Sequence, residues 1–392
     1  MTDLHEKHGA GYFEALDGWR GICASMVALF HFRAFSHISD SDFIKSGGSF
    51  LDFFFVLSGF VIFANYYERL KSGYSLRDFM LLRFGRLYPL HFALFFLLIA
   101  GDLAQLIIPW LSKGATYAPF SGPGESMCDV IANILLIHSF NVTDMLSFNA
   151  PSWSISAEFY TYLLFGAAIS LTRGRFFIVG FITSGMLIFI LNDPERMKGT
   201  FHLGVFRCIY GFGCGGLTWF IFRKFKDRLM HFKTQYFNIV EVALFVGLFV
   251  YAHYLLMLFD ILPYFQISAP LVFSFTVFIF AFQKGIISKM LMGRFFSLLG
   301  MLSYSIYMTH IIISGKIFYG FGHLAQKISG LQLFSKMNGA DILGTNIWMG
   351  DIICLIYITS VVACSYVTYR LIEVPCRDRF RKFVRKSEGI KA

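Results

Sequence analysis

The stretch Leu16-Asp17-Gly18-Trp19-Arg20-Gly21-Ile22-Cys23-Ala24-Ser25-Met26-Val27-Ala28-Leu29-Phe30-His31 reads as an apolar helix carrying an arginine and a histidine. Arg20 and His31 are eleven residues apart. That is almost three helical turns, so they share a face about 16 Å apart along the axis, roughly half a bilayer. Ionisable groups inside a membrane helix are costly to insert and face the protein interior or a wet cavity. The first helix is therefore expected to hold a cation near one membrane surface and an imidazole deep inside, with Asp17 beside them.

The rest of the composition agrees. Of 392 residues, 56% are hydrophobic and 15% charged, whereas soluble domains carry about a quarter charged residues. Repeated apolar runs of about twenty residues predict an all-α, polytopic integral membrane protein. The alternation expected of a membrane barrel does not compete with them. The formal charge is +10, but the basic residues gather in loops and tail, so membrane orientation explains them and no nucleic-acid partner is expected. Cys23, Cys128, Cys208, Cys214, Cys354, Cys364 and Cys376 form no Cys-x-x-Cys pair and no grouping with histidine. They read as small core residues, with no metal site. No small-residue cleavage site follows the first apolar run cleanly, so that run is expected to be an anchor helix and not a removed signal.

Taken in order, the sequence predicts about ten crossings, near residues 14–35, 50–67, 87–110, 153–171, 176–192, 202–222, 236–258, 268–283, 297–318 and 347–369. The apolar segment 128–140 is too short to cross and is expected to be interfacial or re-entrant. With both termini in the cytoplasm, the inner segments hold 24 lysines and arginines against six outside, as the positive-inside rule requires. The expected organisation is a cytoplasmic segment 1–13, a membrane domain 14–370 and a basic cytoplasmic tail 371–392. The tail alternates cations and aromatic residues, which suits contact with anionic lipid. The loops 111–152 and 319–346 fall outside, where they could cover a substrate.

Four constellations can carry chemistry. His31, with Arg20 on its face, can take a proton from a hydroxyl, since burial favours the neutral, basic imidazole; a bond to a neighbouring helix is the competing reading. Arg83 and Arg86, three apart just before the third span, present two guanidinium groups on one face, suited to a polyphosphate or simply to anchoring at the inner surface. In Trp153-Ser154-Ile155-Ser156-Ala157-Glu158, the buried carboxylate of Glu158 needs a partner, for which His31 or an arginine is the candidate. Ser154 and Ser156 either line the site or cap the helix. Tyr304, Tyr307 and His310 fall on one side of the ninth span, as a polar cavity lining or as inter-helix hydrogen bonds.

Together these segments resemble the acyltransferase-3 family of integral membrane acyltransferases. The resemblance rests on Leu16-Asp17-Gly18-Trp19-Arg20-Gly21 with His31, and on Phe53-Phe54-Phe55-Val56-Leu57-Ser58-Gly59-Phe60. It continues through Arg83 and Arg86 before Leu87-Tyr88-Pro89, the Trp153–Glu158 block, Ser303-Tyr304-Ser305-Ile306-Tyr307 and the closing Ile372-Glu373-Val374-Pro375. The blocks stand in family order along nearly the whole chain.

The resemblance implies a multi-pass protein of the bacterial inner membrane. Its implied activity moves an acyl group, most often acetyl from cytoplasmic acetyl-CoA, to a hydroxyl of an extracytoplasmic polysaccharide or glycoside. Acyl-CoA would be a co-substrate, with no permanently bound cofactor and no extra hydrolase-like domain. Membrane lipid and polysaccharide synthesis or export machinery are the other candidate partners. On this reading Arg20, Arg83 and Arg86 hold the donor, and His31 is the general base, or forms an acyl-histidine. Glu158 orients His31 or binds sugar, and Asp17, Ser58, Trp153, Ser154, Ser156, Tyr304, Tyr307 and His310 line the acceptor cavity. Succinyl transfer is the close alternative. A transporter using buried Asp52, Asp102, Glu158 and His31 is a rival reading, weakened by the lack of an internal repeat. A haem protein ligated by histidines is a second.

Overall fold

The computed structural model describes residues 12–108, 120, 122–143, 145–173, 204–258, 261, 263–337 and 339–387. Among them the chain is helical apart from one β-hairpin. The helices are α1 (Glu14–Phe30), α2 (Phe50–Lys71), α3 (Leu76–Ile107), α4 (Met127–Ile134), α5 (Trp153–Thr172), α6 (Gly204–Met230) and α7 (Thr234–Met257). They continue with α8 (Ala269–Phe280), α9 (Ile286–Leu291), α10 (Arg294–Ile312), α11 (Gly320–Ser329), α12 (Ile347–Thr368) and α13 (Val374–Ser387). Strands β1 (Phe334–Met337) and β2 (Ala340–Leu343) pair antiparallel, Phe334 opposite Leu343.

Seven described helical segments are long and apolar enough to cross a membrane: 42–71, α3, 150–172, α6, α7, 294–329 and 347–386. The protein is thus a multi-pass helical membrane protein. Two more expected spans are shorter, α1 at 17 residues and α8 at 12. The expected span at 176–192 lies outside the described residues. Helix α4 has eight residues, too few to cross.

Several boundaries depart from expectation. Helix α1 stops at Phe30 rather than near residue 35, because the chain turns through Phe32 N–H to Leu29 O (3.0 Å) and then extends. Ala34 bridges Leu343, and Phe35 N–H donates to Leu343 O at 2.8 Å. His31 is therefore a helix-terminal residue. Helix α3 begins at Leu76, capped by Ser75 Oγ accepting from Asp78 N–H, so Arg83 and Arg86 lie two turns or more inside a helix instead of in a loop. The loop expected at 319–346 contains α11 and the hairpin, reached through a π-helical stretch at Ile313–Tyr319.

Helix contacts come from small residues, as membrane packing favours. A Cβ at Gly21 would meet Leu299 and Gly300, and one at Gly300 would meet the Asp17 carbonyl, so α1 and α10 run backbone to backbone. Helices α2 and α6 cross likewise: a Cβ at Gly59 would strike the Phe212 carbonyl, and one at Gly215 the Val56 carbonyl. Arg207 of α6 clamps Asp52 of α2 in a fork, Nε and Nη2 each 2.7 Å from a carboxylate oxygen. Trp19 is buried against Phe280 and Phe53. Cys23, Cys208 and Cys354 are core residues as expected, whereas Cys128 is exposed.

The described part of the tail packs on the bundle. Helix α13 folds back on the first half of α3, with Phe380 seated where a Cβ at Gly85 would stand and stacked edge-on against Phe84 at 5.6 Å. This gives the bundle a basic end, carrying Arg69, the start of α3 and α13, and an opposite end carrying the hairpin.

Candidate active site

At the basic end a cavity of about 300 Å³ is lined by Arg69, Arg83, Arg86, Arg377, Arg381 and Arg385, together with Tyr66 and Tyr74. Aromatic rings flank two of the guanidinium groups. Arg83 Nη2 donates to the Tyr66 hydroxyl at 3.2 Å and its guanidinium lies 5.0 Å from the Tyr66 ring. Arg69 lies 4.1 Å over Tyr74. The buried Nε of Arg83 has no partner. Cations stacked on aromatic faces keep N–H edges free for an anion.

Arg83 and Arg86 also line a second, internal cavity of about 100 Å³, with Arg20, Ser58, Glu158 and Tyr307 among its walls. Glu158 Oε1 accepts from Ser58 Oγ at 2.7 Å and from the Tyr162 hydroxyl, and those two hydroxyls are 2.7 Å apart. Arg20 Nη1 sits 3.0 Å from Asp17 Oδ1, one turn before it. Tyr304 lines the cavity and donates to the Leu87 carbonyl. Ser154 Oγ lies 2.9 Å from the Tyr307 hydroxyl, and both reach the Pro151 carbonyl.

A third cavity, of about 560 Å³, opens at the hairpin end and is lined by His31, Phe30, Arg33, Asp40, Lys45 and Ile342, among others. Lys45 and Asp40 pair at 3.1 Å. His31 Nδ1 is 2.9 Å from Val27 O and 3.2 Å from Nε2 of His310, which is fully buried. The second ring nitrogen of His310, Nδ1, is 2.7 Å from Tyr307 O. Tyr307 and His310, one turn apart on α10, thus link the wall of the internal cavity to His31.

The expected residues divide accordingly. Arg20, Ser58, Arg83, Arg86, Ser154, Glu158, Tyr304 and Tyr307 gather at the internal cavity. His31 does not join them: it lines the hairpin-end cavity, and its side-chain partner is His310 rather than Glu158. Trp153 is a core residue beside Phe55 and Gly204. Ser156 faces away, bonded to Leu136 O and to Ser139 Oγ at 2.7 Å, holding the segment after α4. Asp17 serves as the partner of Arg20. Sequence reading missed Tyr162 and the α13 arginines, which carry no signal in a tyrosine-rich span or a basic tail. It also missed Arg207, whose place inside an apolar run was a usable signal.

The acyltransferase domain model of the acyltransferase-3 family matches residues 13–370. Acyltransferase MdmB of Streptomyces mycarofaciens is 38% identical over 124 residues, 31% of this chain and 28% of that protein. Protein 2 in the picA locus of Rhizobium radiobacter is 27% identical over 150 residues, 37% of this chain and 76% of that protein. No solved structure matches. With the family match running from the start of α1 to the end of the last long membrane helix, the chain belongs to the acyltransferase-3 family.

Proposed function

We propose that the protein moves an acyl group, acetyl in the first instance, from acyl-CoA at the basic end to a hydroxyl of a polysaccharide or glycoside reaching the hairpin end. The observation that carries this reading is that Arg83 and Arg86 line both the basic pocket and the internal cavity. A donor whose phosphates rest on those arginines has its flexible arm beside the internal cavity. Acyl-CoA carries a diphosphate and a further phosphate at one end. Arginine forks on aromatic faces suit that charge, and Arg377 and Arg381 of α13 extend the same surface.

At the other end His31 acts as general base. It takes the proton of the acceptor hydroxyl, whose oxygen forms a bond to the thioester carbonyl carbon. The carbon–sulfur bond then breaks, and the departing thiolate recovers the proton as free thiol. Glu158, tied to Ser58 and Tyr162, offsets the charge of Arg20, Arg83 and Arg86 along the donor path.

In the same reading the chain makes ten crossings of a bacterial inner membrane, with the basic end and both termini in the cytoplasm. The concentration of cations at that end supports the orientation. The test is mass spectrometry of glycans from cells with the wild-type gene, without it, and with His31→Ala. The proposal expects one acyl mass, 42 Da heavier than the free hydroxyl for acetyl, to disappear in both altered strains. Unchanged glycans in the deletion strain would reject it. A lost mass larger than acetyl would change the donor and keep the mechanism.

A further inference from the structure

We propose that His310 is the positioning residue of a histidine pair, and that it fixes Nε2 of His31 as the nitrogen that receives the acceptor's proton. The inference rests on the reading of His31 as the base, and goes beyond it by assigning the tautomer and the group that sets it. His310 Nδ1 stands 2.7 Å from the carbonyl of Tyr307. A carbonyl oxygen only accepts, so that nitrogen carries the hydrogen, and in a neutral ring Nε2 of His310 then presents a lone pair. Nδ1 of His31 faces that lone pair at 3.2 Å and the Val27 carbonyl at 2.9 Å. Both neighbours accept, so Nδ1 of His31 carries the hydrogen and Nε2 is left bare.

The pair also answers what happens as His31 takes the proton. Its Nδ1–H becomes a stronger donor in the imidazolium, and the two acceptors already in place stabilise the charge without moving. A carboxylate does this in many hydrolytic triads. Here a neutral imidazole does it inside an apolar bundle, where an isolated carboxylate would be costly to bury. His310 itself stays neutral while His31 is charged, since two imidazolium rings whose facing nitrogens are 3.2 Å apart repel strongly.

The scaffold holds the pair in register. The Tyr357 hydroxyl of α12 is 3.1 Å from both Ala28 O of α1 and His310 O of α10. Phe32 stacks on the Tyr357 ring at 3.9 Å. Three helices are thus tied together at the level of the two imidazoles. The regular α-helical ladder of α10 gives way to a π-helical stretch immediately afterwards, at Ile313, a feature that recurs at functional sites.

The experiment compares His31→Ala, His310→Met and His310→Gln in purified enzyme, with kcat and KM measured for acetyl-CoA and a glycoside acceptor. Thermal unfolding in detergent serves as the check on folding. Methionine fills the volume without a comparable acceptor; glutamine can place its carbonyl where Nε2 stood. The proposal expects no transfer by His31→Ala. It expects His310→Met to lose roughly 100-fold in kcat with both KM values nearly unchanged, and His310→Gln to recover most of that loss.

Wild-type kcat in folded His310→Met, with His31→Ala inactive, overturns the pair and leaves the base assignment standing. Full activity in His31→Ala overturns the base assignment itself. If the His310 variants do not fold, ¹⁵N spectra of histidine-labelled wild-type protein decide. A protonated Nδ1 and bare Nε2 on His31 support the pair, and the opposite tautomer rejects it.

Discussion

Arg83 reaches the basic pocket with its guanidinium already stacked on Tyr66 and its Nε unpaired, so its removal tests binding more than folding. Arg83→Ala should raise KM for acyl-CoA roughly 10–100-fold, the loss of a charge-assisted contact, with a smaller effect on kcat; steady-state kinetics with donor varied checks this. Glu158→Gln keeps shape but removes the charge facing the arginines, and kcat should fall while binding of a dead-end CoA analogue persists, measurable by calorimetry. At this scale the sequence was legible where a polar residue type has no reason to enter a membrane. Arg20, His31, Glu158 and the pair Arg83 and Arg86 all line cavities. It was misleading where facing matters. Trp153 and Ser156 share a block with Ser154 and Glu158, but they point into the core and toward the segment after α4. The His310 partnership depends on α1 and α10 meeting through Gly21 and Gly300, a contact across most of the chain that no local pattern encodes.

The helices depend on a few close crossings. Gly59→Val would drive a side chain into the Phe212 carbonyl, with no flexible atom to yield, and should cost upward of about 3 kcal/mol. Loss of folded protein in fluorescence-detected size-exclusion is the expected readout. The Asp52–Arg207 fork makes a second element-scale prediction. Removing one partner, as in Arg207→Met, leaves a buried carboxylate and should destabilise by about 3–5 kcal/mol, and pairing it with Asp52→Leu should restore much of the loss. Comparison of the single and double variants by thermal unfolding decides it.

Helix α13 is the element whose role sequence reading placed differently, as a lipid-facing tail. Gly85→Val would collide with Phe380 and lift α13 from α3, so KM for donor should rise in that variant as it does in Arg381→Ala. Helix boundaries were hard to read for physical reasons. The first turns of α3 carry three arginines and fail a hydropathy criterion, and the end of α1 is set by a bridge to Leu343, some three hundred residues away.

Across the whole molecule, composition alone pointed to a polytopic helical protein, and the seven long apolar segments agree with it. Less visible was the separation of the cavities between the two ends of the bundle. The sequence suggested one helix with a cation and an imidazole on a common face; in the structure Arg20 lines the small inner cavity and His31 the cavity at the hairpin end, while the arginine-lined pocket at the basic end is built from other helices. In the proposed function, donor and acceptor meet from opposite sides of the membrane.

The most direct measurement uses purified protein in liposomes sorted for one orientation, with labelled acetyl-CoA only on the side of the basic end and a membrane-impermeant glycoside only on the other. The account predicts labelled glycoside with wild-type protein and none with His31→Ala. Transfer that occurs only when both substrates share one side would contradict it.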